Sequence, residues 1–425
     1  MINKVSMLIN WNFRSWNFLK SPNEMVRINN SIKVLDLLIN REMSRVDIAE
    51  ETGLTKTTIG DIVKNFLNIG FLQEVKVSPN GVGRPSINLK IVKDFAHVIG
   101  IGILRDSVNG CLIDSSGEIL YNVDYPYIKE NPQINIVYKV IDELMRKAEL
   151  TNRKVKVISF GIPGPVDTEK GIIKEPPKLP EFANFPLIKK IKEKYNVFAY
   201  LGNDADMGAI GEKYYGKGKD LDSFIYILYD KGIGAGIIIN NHLYLGLNGY
   251  AGEIGHTLLF KNEELKYFED EYGLDRVVES IGKIISKPIK SIQEIDVLSD
   301  KEKKSIERFT EELLRYFASI LLSLIHYFGI SNIFIDGRMK YLGDGFFNQL
   351  LDFINKYMFY KHTINISFSD LDEYAISRGA AKFGLVKYLK DEVIWSSWNS
   401  ALIKKLCLQV SHSKFKEILG YTKFI

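Results

Sequence analysis

The chain has 425 residues, more than one ordinary core can serve, so two or three domains are expected. With 46% hydrophobic and 25% charged residues and a net charge of +4, the composition excludes a disordered or fibrous protein. The most apolar long stretch, 317–330, is interrupted by Ser319, Ser323 and His326 and is too short to span a bilayer, so no membrane insertion is expected.

The amino terminus shows no basic segment, apolar run and small-residue cleavage site in succession. The two cysteines, Cys111 and Cys407, cannot build a disulfide framework or a cysteine-rich metal site. A cytoplasmic protein is expected. Charge is uneven: residues 1–93 hold 13 basic and 8 acidic residues, leaving 43 and 44 for the rest. A small basic segment joined to a near-neutral body fits a polyanion-binding module, although such an excess also arises by ordinary scatter.

In chain order, Ile28, Ile32, Leu35, Leu38 and Ile39 recur at helical spacing over 25–39. Ser44 then opens S-R-V-D, a capped start for a short second helix that Gly53 ends. Thr55 can cap a third helix whose buried face is Ile59, Ile62, Val63, Phe66 and Leu67. Lys56, Thr57, Gly60, Asp61 and Lys64 are left outward. A short helix, a glycine turn and a helix beginning in small or basic residues are what insertion into a major groove requires. Two strand-like runs, FLQEVKV and SINLKI, follow around S-P-N-G-V-G-R-P, placing Arg84 at a wing tip. The expected DNA contacts are Ser44, Thr55, Lys56, Thr57, Thr58, Lys64 and Arg84, the alternative being a helical packing module with no ligand.

Beyond residue 93, strand-like runs (HVIGIGILR, VNGCLID, GEILYNVDY) precede a helix, INIVYKVIDELMRKAE, and a buried strand, KVKVISF. NVFAYL leads into a helix that begins at Asp204, and FIYILY and GIGAGIIIN form two strands around a glycine turn. The alternation predicts an α/β body with parallel strand pairs and a ligand cleft at strand ends.

The motifs GIPGPVD (161–167), GNDAD (202–206), KGIGAG (231–236), NGYAGEIGH (248–256), IFIDGRMKYLGDGFF (333–347) and EYAISRGAAKFG (373–384) occur in order. With them the chain resembles the ROK family of repressors and sugar kinases over about residues 25–388. The resemblance implies a winged helix-turn-helix domain at 25–92 and a two-lobed, actin-like ATPase body of sugar-kinase type at 95–388. The cleft would lie near 203–256, and 1–24 and 391–425 would be terminal extensions.

It also maps sugar contacts onto Asn203, Asp204, Glu253 and His256. Asp204, at a helix start, is expected to be favoured as the anion by the aligned peptide dipoles. In kinase members the matching carboxylate is the general base; in a repressor it need only accept a hydrogen bond.

Three nucleotide motifs are altered. The kinase D-x-G-G-T is here Gly102-Ile103-Leu104-Arg105-Asp106, Asp230 and Lys231 replace Gly-Thr in the second phosphate loop, and the adenosine-side glycine pair reads Asp336-Gly337-Arg338. No catalytic residue, cofactor or kinase activity is therefore expected. The family's zinc motif is absent too. Its cysteine positions fall on Lys266, Phe268 and Gly273, and its closing acid on Asp275, which becomes the fifth sugar contact. Without metal, that loop must be held by packing, with Tyr267, Phe268 and Tyr272 as candidates.

The expectation is a sugar-responsive transcription regulator, a repressor of carbohydrate-utilisation genes, xylose metabolism among them, released by a sugar inducer. Its partners would be a palindromic operator bound through a homodimer or dimer of dimers, and a sugar left open among glucose, xylose, an amino sugar or an oligosaccharide. The alternatives are an active sugar kinase carrying a DNA module, and a repressor controlled by a protein partner. The four tryptophans, Trp11, Trp16, Trp395 and Trp398, lie in the terminal segments, where docking on the body or across a dimer is expected.

Overall fold

The computed structural model describes residues 22–398, apart from 78–85, 128–131, 165, 169–170, 175, 177–178, 262 and 360–362. The chain divides into two units, residues 1–95 with 386–425, and residues 96–385. Arg84, Trp11 and Trp16 fall outside the described residues.

The first unit opens with α1 (Pro22–Leu38), β1 (Met43–Ser44), α2 (Arg45–Thr52) and α3 (Lys56–Asn68), followed by β2 (Leu72–Val77) and β3 (Ser86–Ile91). Ile28, Leu35, Leu38 and Ile39 are buried as their spacing predicts, whereas Ile32 is only partly covered. Ser44 forms the expected capping box with Asp47, and Gly53 ends α2 in the left-handed region at φ 68°. Thr55 accepts the Thr58 N–H at 3.2 Å to start α3, whose Ile59, Ile62, Val63 and Phe66 are buried. β2 and β3 pair antiparallel and β1 joins the β3 edge, completing three helices and a wing sheet.

The carboxy-terminal segment belongs to this unit. Trp398 donates its indole N–H to Ser31 at 2.9 Å, Asn65 of α3 donates to Ser397 at 2.8 Å, and Lys390 pairs with Asp36 at 2.7 Å. Trp398 therefore docks on α1. Its ring buries apolar area while its one donor finds the hydroxyl of the fully buried Ser31.

The second unit carries two five-stranded sheets. The first contains β4 (His97–Ile103), β5 (Ser107–Ile113), β6 (Ile119–Pro126), β7 (Val155–Ile162) and, beyond the short hairpin β8 (Val166–Asp167) and β9 (Ile172–Ile173), β10 (Phe198–Asn203). Its order is β10-β7-β4-β5-β6, parallel from β10 to β4 and antiparallel thereafter. α4 (Gln133–Leu150) and α5 (Leu187–Tyr195) cover it.

The second sheet contains β11 (Phe224–Tyr229), β12 (Ile233–Ile239), β13 (His242–Leu243), β16 (Asn332–Asp336) and β17 (Asn365–Phe368), in the order β13-β12-β11-β16-β17. Between them in the chain come α6 (Asp204–Tyr215), the hairpin β14 (Leu258–Lys261) and β15 (Glu264–Tyr267), α7 (Phe268–Tyr272), α8 (Leu274–Ile284), α9 (Asp300–Phe328) and α10 (Gly343–Tyr357); α11 (Ala375–Tyr388) closes the body.

The period-two pattern of β4 explains how the layers meet. Ile99, Ile101 and Ile103 join the core under α4, while Gly100 faces α11, where an added Cβ would stand 2.0 Å from the Ser377 carbonyl. α6 and α11 cross in near backbone contact, since a Cβ on Gly379 would stand 1.7 Å from the Met207 carbonyl. Two helices so packed bring the carboxyl ends of both sheets to one cleft.

The residues at the family's zinc positions are held by packing. Phe268 and Tyr272 are fully buried, with the Phe268 ring stacked on Phe317 at 6.2 Å and edge-on to Tyr229 at 6.1 Å. Lys266 pairs with Glu264 and Glu271, and Gly273 precedes α8. Tyr267 is different: it is exposed and meets the edge of the His256 ring at 5.2 Å. Phe268→Ala is expected to destabilise the body by about 3–5 kcal/mol, read as a lower urea midpoint with an unchanged slope.

Candidate functional site

Two surfaces carry chemistry. On the first unit, Lys56, Thr57 and Lys64 are exposed on α3, while Thr58 is half-buried. Three of the expected contacts also have local duties. Ser44 caps α2, Thr55 caps α3, and the Thr55 and Thr58 hydroxyls lie 2.9 Å apart. Of the expected contacts on α3, those with no capping role are thus Lys56, Thr57 and Lys64, at its start and along its outer face.

The second surface is the cleft of the body, where β10 gives way to α6. Asn203 caps α6, its Oδ1 accepting from the N–H groups of Ala205 at 2.9 Å and Asp206 at 3.3 Å, while Nδ2 donates to the Gly164 carbonyl at 3.4 Å. That cap fixes Asp204 at the first position of the helix. Its Oδ1 accepts the Ala205 N–H at 2.8 Å.

The helix start does not make Asp204 an easy anion. Burial pushes its carboxyl up to about 6, opposed by Arg105 and the Ala205 N–H and reinforced by Glu253 and Glu269. Desolvation and two neighbouring carboxylates outweigh the peptide dipoles, reversing the expectation from the sequence. Asp206, two residues further along α6, is raised well above the usual range by burial and then by Asp204 and Glu253.

Glu253 and His256 lie at a single 3-10 turn, with His256 Nδ1 3.3 Å from Glu253 Oε2. Burial raises the Glu253 carboxyl and Glu269 raises it further, while His256 lowers it. Asp275, in the first turn of α8, turns to Lys231 at 3.7 Å, on the side of the altered phosphate loop.

Two residues to which the sequence assigns no ligand role complete the cluster. Glu269 of α7 accepts the Ile233 N–H at 2.7 Å through Oε2, and its Oε1 lies 3.4 Å from Nη2 of Arg105. Only their convergence on Asp204 marks them, and residues 105, 204, 253 and 269 are too dispersed for spacing to reveal it.

The altered nucleotide motifs bind one another. Arg338 donates through Nε to Asp230 Oδ2 at 2.8 Å and through Nη2 to Asp230 Oδ1, a bidentate pair. Its Nη1 reaches Asp106 at 2.8 Å, so the turn after β4 in the first sheet is tied to the ends of β11 and β16 in the second. Lys231 lies 3.9 Å from the same Asp106. Asp336 receives the Tyr226 hydroxyl and the Gly337 N–H. Arg338, Lys231, Asp106 and Asp230 of the altered phosphate motifs thus find partners within the protein. Among the described residues no group of three His, Cys, Asp or Glu side chains is placed to hold a metal ion, and no helix is long and apolar enough to cross a membrane.

A duplicated sheet with a polar cleft at the strand ends and three helices with a wing sheet on the same chain define a two-lobed, actin-like body and a winged helix-turn-helix module. The profile of the ROK family matches residues 98–384, and the chain belongs to that family. Its curated relatives include the xylose repressor of Caldicellulosiruptor bescii, 26% identical over 83% of this chain and 94% of that protein.

Among solved structures, a ROK family transcriptional regulator, described as a homologue of the Escherichia coli MLC protein, superposes with a TM-score of 0.72 at 19% identity. That match covers 88% of this chain and 99% of the other. A ROK hexokinase from Thermus thermophilus shares the fold over 70% of this chain and 99% of its own, with a TM-score of 0.58 at 22% identity.

Proposed function

We propose that the protein is a sugar-responsive DNA-binding repressor of carbohydrate-utilisation genes, without kinase activity, acting in the cytoplasm. The observation that carries this reading is the contrast between the two halves of the cleft. The phosphate motifs are occupied by the Asp106–Arg338–Asp230 bridge, while Asn203, Asp204, Glu253 and His256 gather where a polyol would meet acceptors and an imidazole. Phosphoryl transfer depends on seating phosphates and metal, and an arginine held by two carboxylates takes that place. On the first unit, Lys56, Thr57 and Lys64 are the side chains to enter a major groove, one copy from each half of a homodimer on a palindromic operator. The sugar acts by favouring one closure of the two lobes, which sets the spacing of the two DNA modules; it shifts the equilibrium only by its differential affinity for the two states.

The test is a mobility-shift titration of the full-length protein on the DNA upstream of its own gene. D-xylose comes first because the relative named above is a xylose repressor, then D-glucose and N-acetyl-D-glucosamine, each with and without Mg-ATP. Release by one sugar, unaffected by Mg-ATP and without sugar phosphate formation, is the expected result. Sugar-dependent ATP consumption that disappears in Asp204→Asn would establish the kinase reading in its place.

A further inference from the structure

Arg105 joins the cluster around Asp204, but not all of its donors are accounted for by the contacts described so far. It lies in the turn between β4 and β5, with its side chain only 10% exposed, and its Nη2 would stand 2.0 Å from a Cβ added to Gly232. The guanidinium is therefore packed against the backbone of the β11–β12 turn. Its partner, Glu269 Oε1, is at the long distance of 3.4 Å. Nη1 is buried and meets no acceptor among the described residues. A buried donor on a charged group is costly to leave unmet, so the position calls for an oxygen supplied from outside the chain.

The groups around it restrict what that oxygen belongs to. Asp204 of α6, Glu253 beside the 3-10 turn and Glu269 of α7 face the same space, with Asp206 behind Asp204 and His256 on Glu253. A phosphate or carboxylate ligand would bring further negative charge to several carboxylates served by one guanidinium. An uncharged polyol does not, because each hydroxyl both donates and accepts.

We propose that Arg105 is a sugar-contacting, specificity-determining residue: Nη1 donates a hydrogen bond to the oxygen of the same hydroxyl that donates its own hydrogen bond to Asp204. This deepens the sugar-binding reading and rests on it. One hydroxyl is gripped as donor and acceptor together, so a sugar lacking it, or carrying phosphate on it, is rejected. The same cation supports Asp204 as the acceptor, since its charge opposes the upward push of burial.

The experiment is calorimetric titration of full-length protein with D-xylose, D-glucose and N-acetyl-D-glucosamine, repeated across the acid-to-neutral range, for wild type, Arg105→Ala, Arg105→Gln and Arg105→Lys. Wild type binds one of the sugars. The Ala and Gln variants lose about tenfold or more in affinity, and Lys, which keeps the charge but not the fork, recovers part of it. In the Gln variant the pH at which affinity is half lost moves upward, because the cation holding Asp204 down is gone, and a merely structural role would not move it. Wild-type binding with unchanged affinity and pH midpoint in the variants overturns the assignment of Arg105 alone. Wild type binding none of the three sugars would instead defeat the sugar reading, and this inference with it. Should the Ala variant fail to fold, the Lys and Gln variants carry the same comparison.

Discussion

Asp204→Asn is expected to do two opposite things at neutral pH: lower sugar affinity by about a hundredfold and make the folded body more stable. The first effect follows from the chemistry of the site. A buried carboxylate accepting a sugar hydroxyl makes a charge-assisted hydrogen bond, and such bonds are worth roughly twice a neutral one. The second follows from linkage. The Asp204 carboxyl stands at about 6 in the folded protein against an unfolded value of 3.8. A raised carboxyl binds its proton more tightly folded than unfolded, so stability falls as pH rises from about 4 to about 6 and the penalty is complete above that.

The gap corresponds to about 3 kcal/mol at most, and about 1–2 kcal/mol after allowance for the part of the side chain that water reaches. Asparagine removes the charge and with it the penalty. Thermal unfolding at pH 7 should therefore rise by a few degrees in the variant, while the wild-type advantage in sugar binding disappears below about pH 6. A variant that loses both stability and binding at every pH would mean that Asp204 serves only to hold the start of α6 through its bond from the Ala205 N–H.

The second large effect is expected on DNA. Lys56→Ala with Lys64→Ala should weaken operator binding by one or more orders of magnitude at moderate salt. It should also reduce the slope of log affinity against log salt by about two, one for each phosphate contact removed. Thr57→Val should behave differently, costing about 1–3 kcal/mol on the cognate operator with the salt slope unchanged, because a base edge and not a phosphate is lost. All three side chains are exposed and none belongs to the buried face of α3, so the melting temperature should stay that of the wild type. Fluorescence anisotropy at several salt concentrations separates the two behaviours. Equal losses and equal slopes for both variants would place α3 on the backbone alone.

The local features of the first unit were legible because each rests on neighbours in the chain. Ser44, Gly53 and Thr55 punctuate the helices through hydrogen bonds a few residues long, and the spacing of Ile59, Ile62, Val63 and Phe66 is a property of one helix. Ser31 was not legible in this way. It is fully buried in the middle of α1 because the indole of Trp398 reaches it from 367 residues away, and no periodicity anticipates such a partner.

In the body, the strand runs and the helix start at Asp204 could be read, but the charge state of Asp204 could not. A helix start argues for the anion, and only the burial of the carboxyl, with Glu253 and Glu269 beside it, shows why it is raised. Asp230 illustrates the same limit in reverse. Alone in a phosphate loop it reads as a group that repels phosphate; in the fold it is the partner that fixes Arg338. Topology alone brings Arg105 and Glu269 to the cleft.

The bridge from Asp106 to Arg338 spans the two sheets with side chains that the chain itself supplies. An enzyme that moves phosphoryl groups on such a fold has to leave that place open for a nucleotide; here the fastening is built in. If the proposed function holds, a regulator made this way would report nutrient supply separately from the energy charge of the cell, and starvation for ATP would leave its answer to the available carbohydrate unchanged.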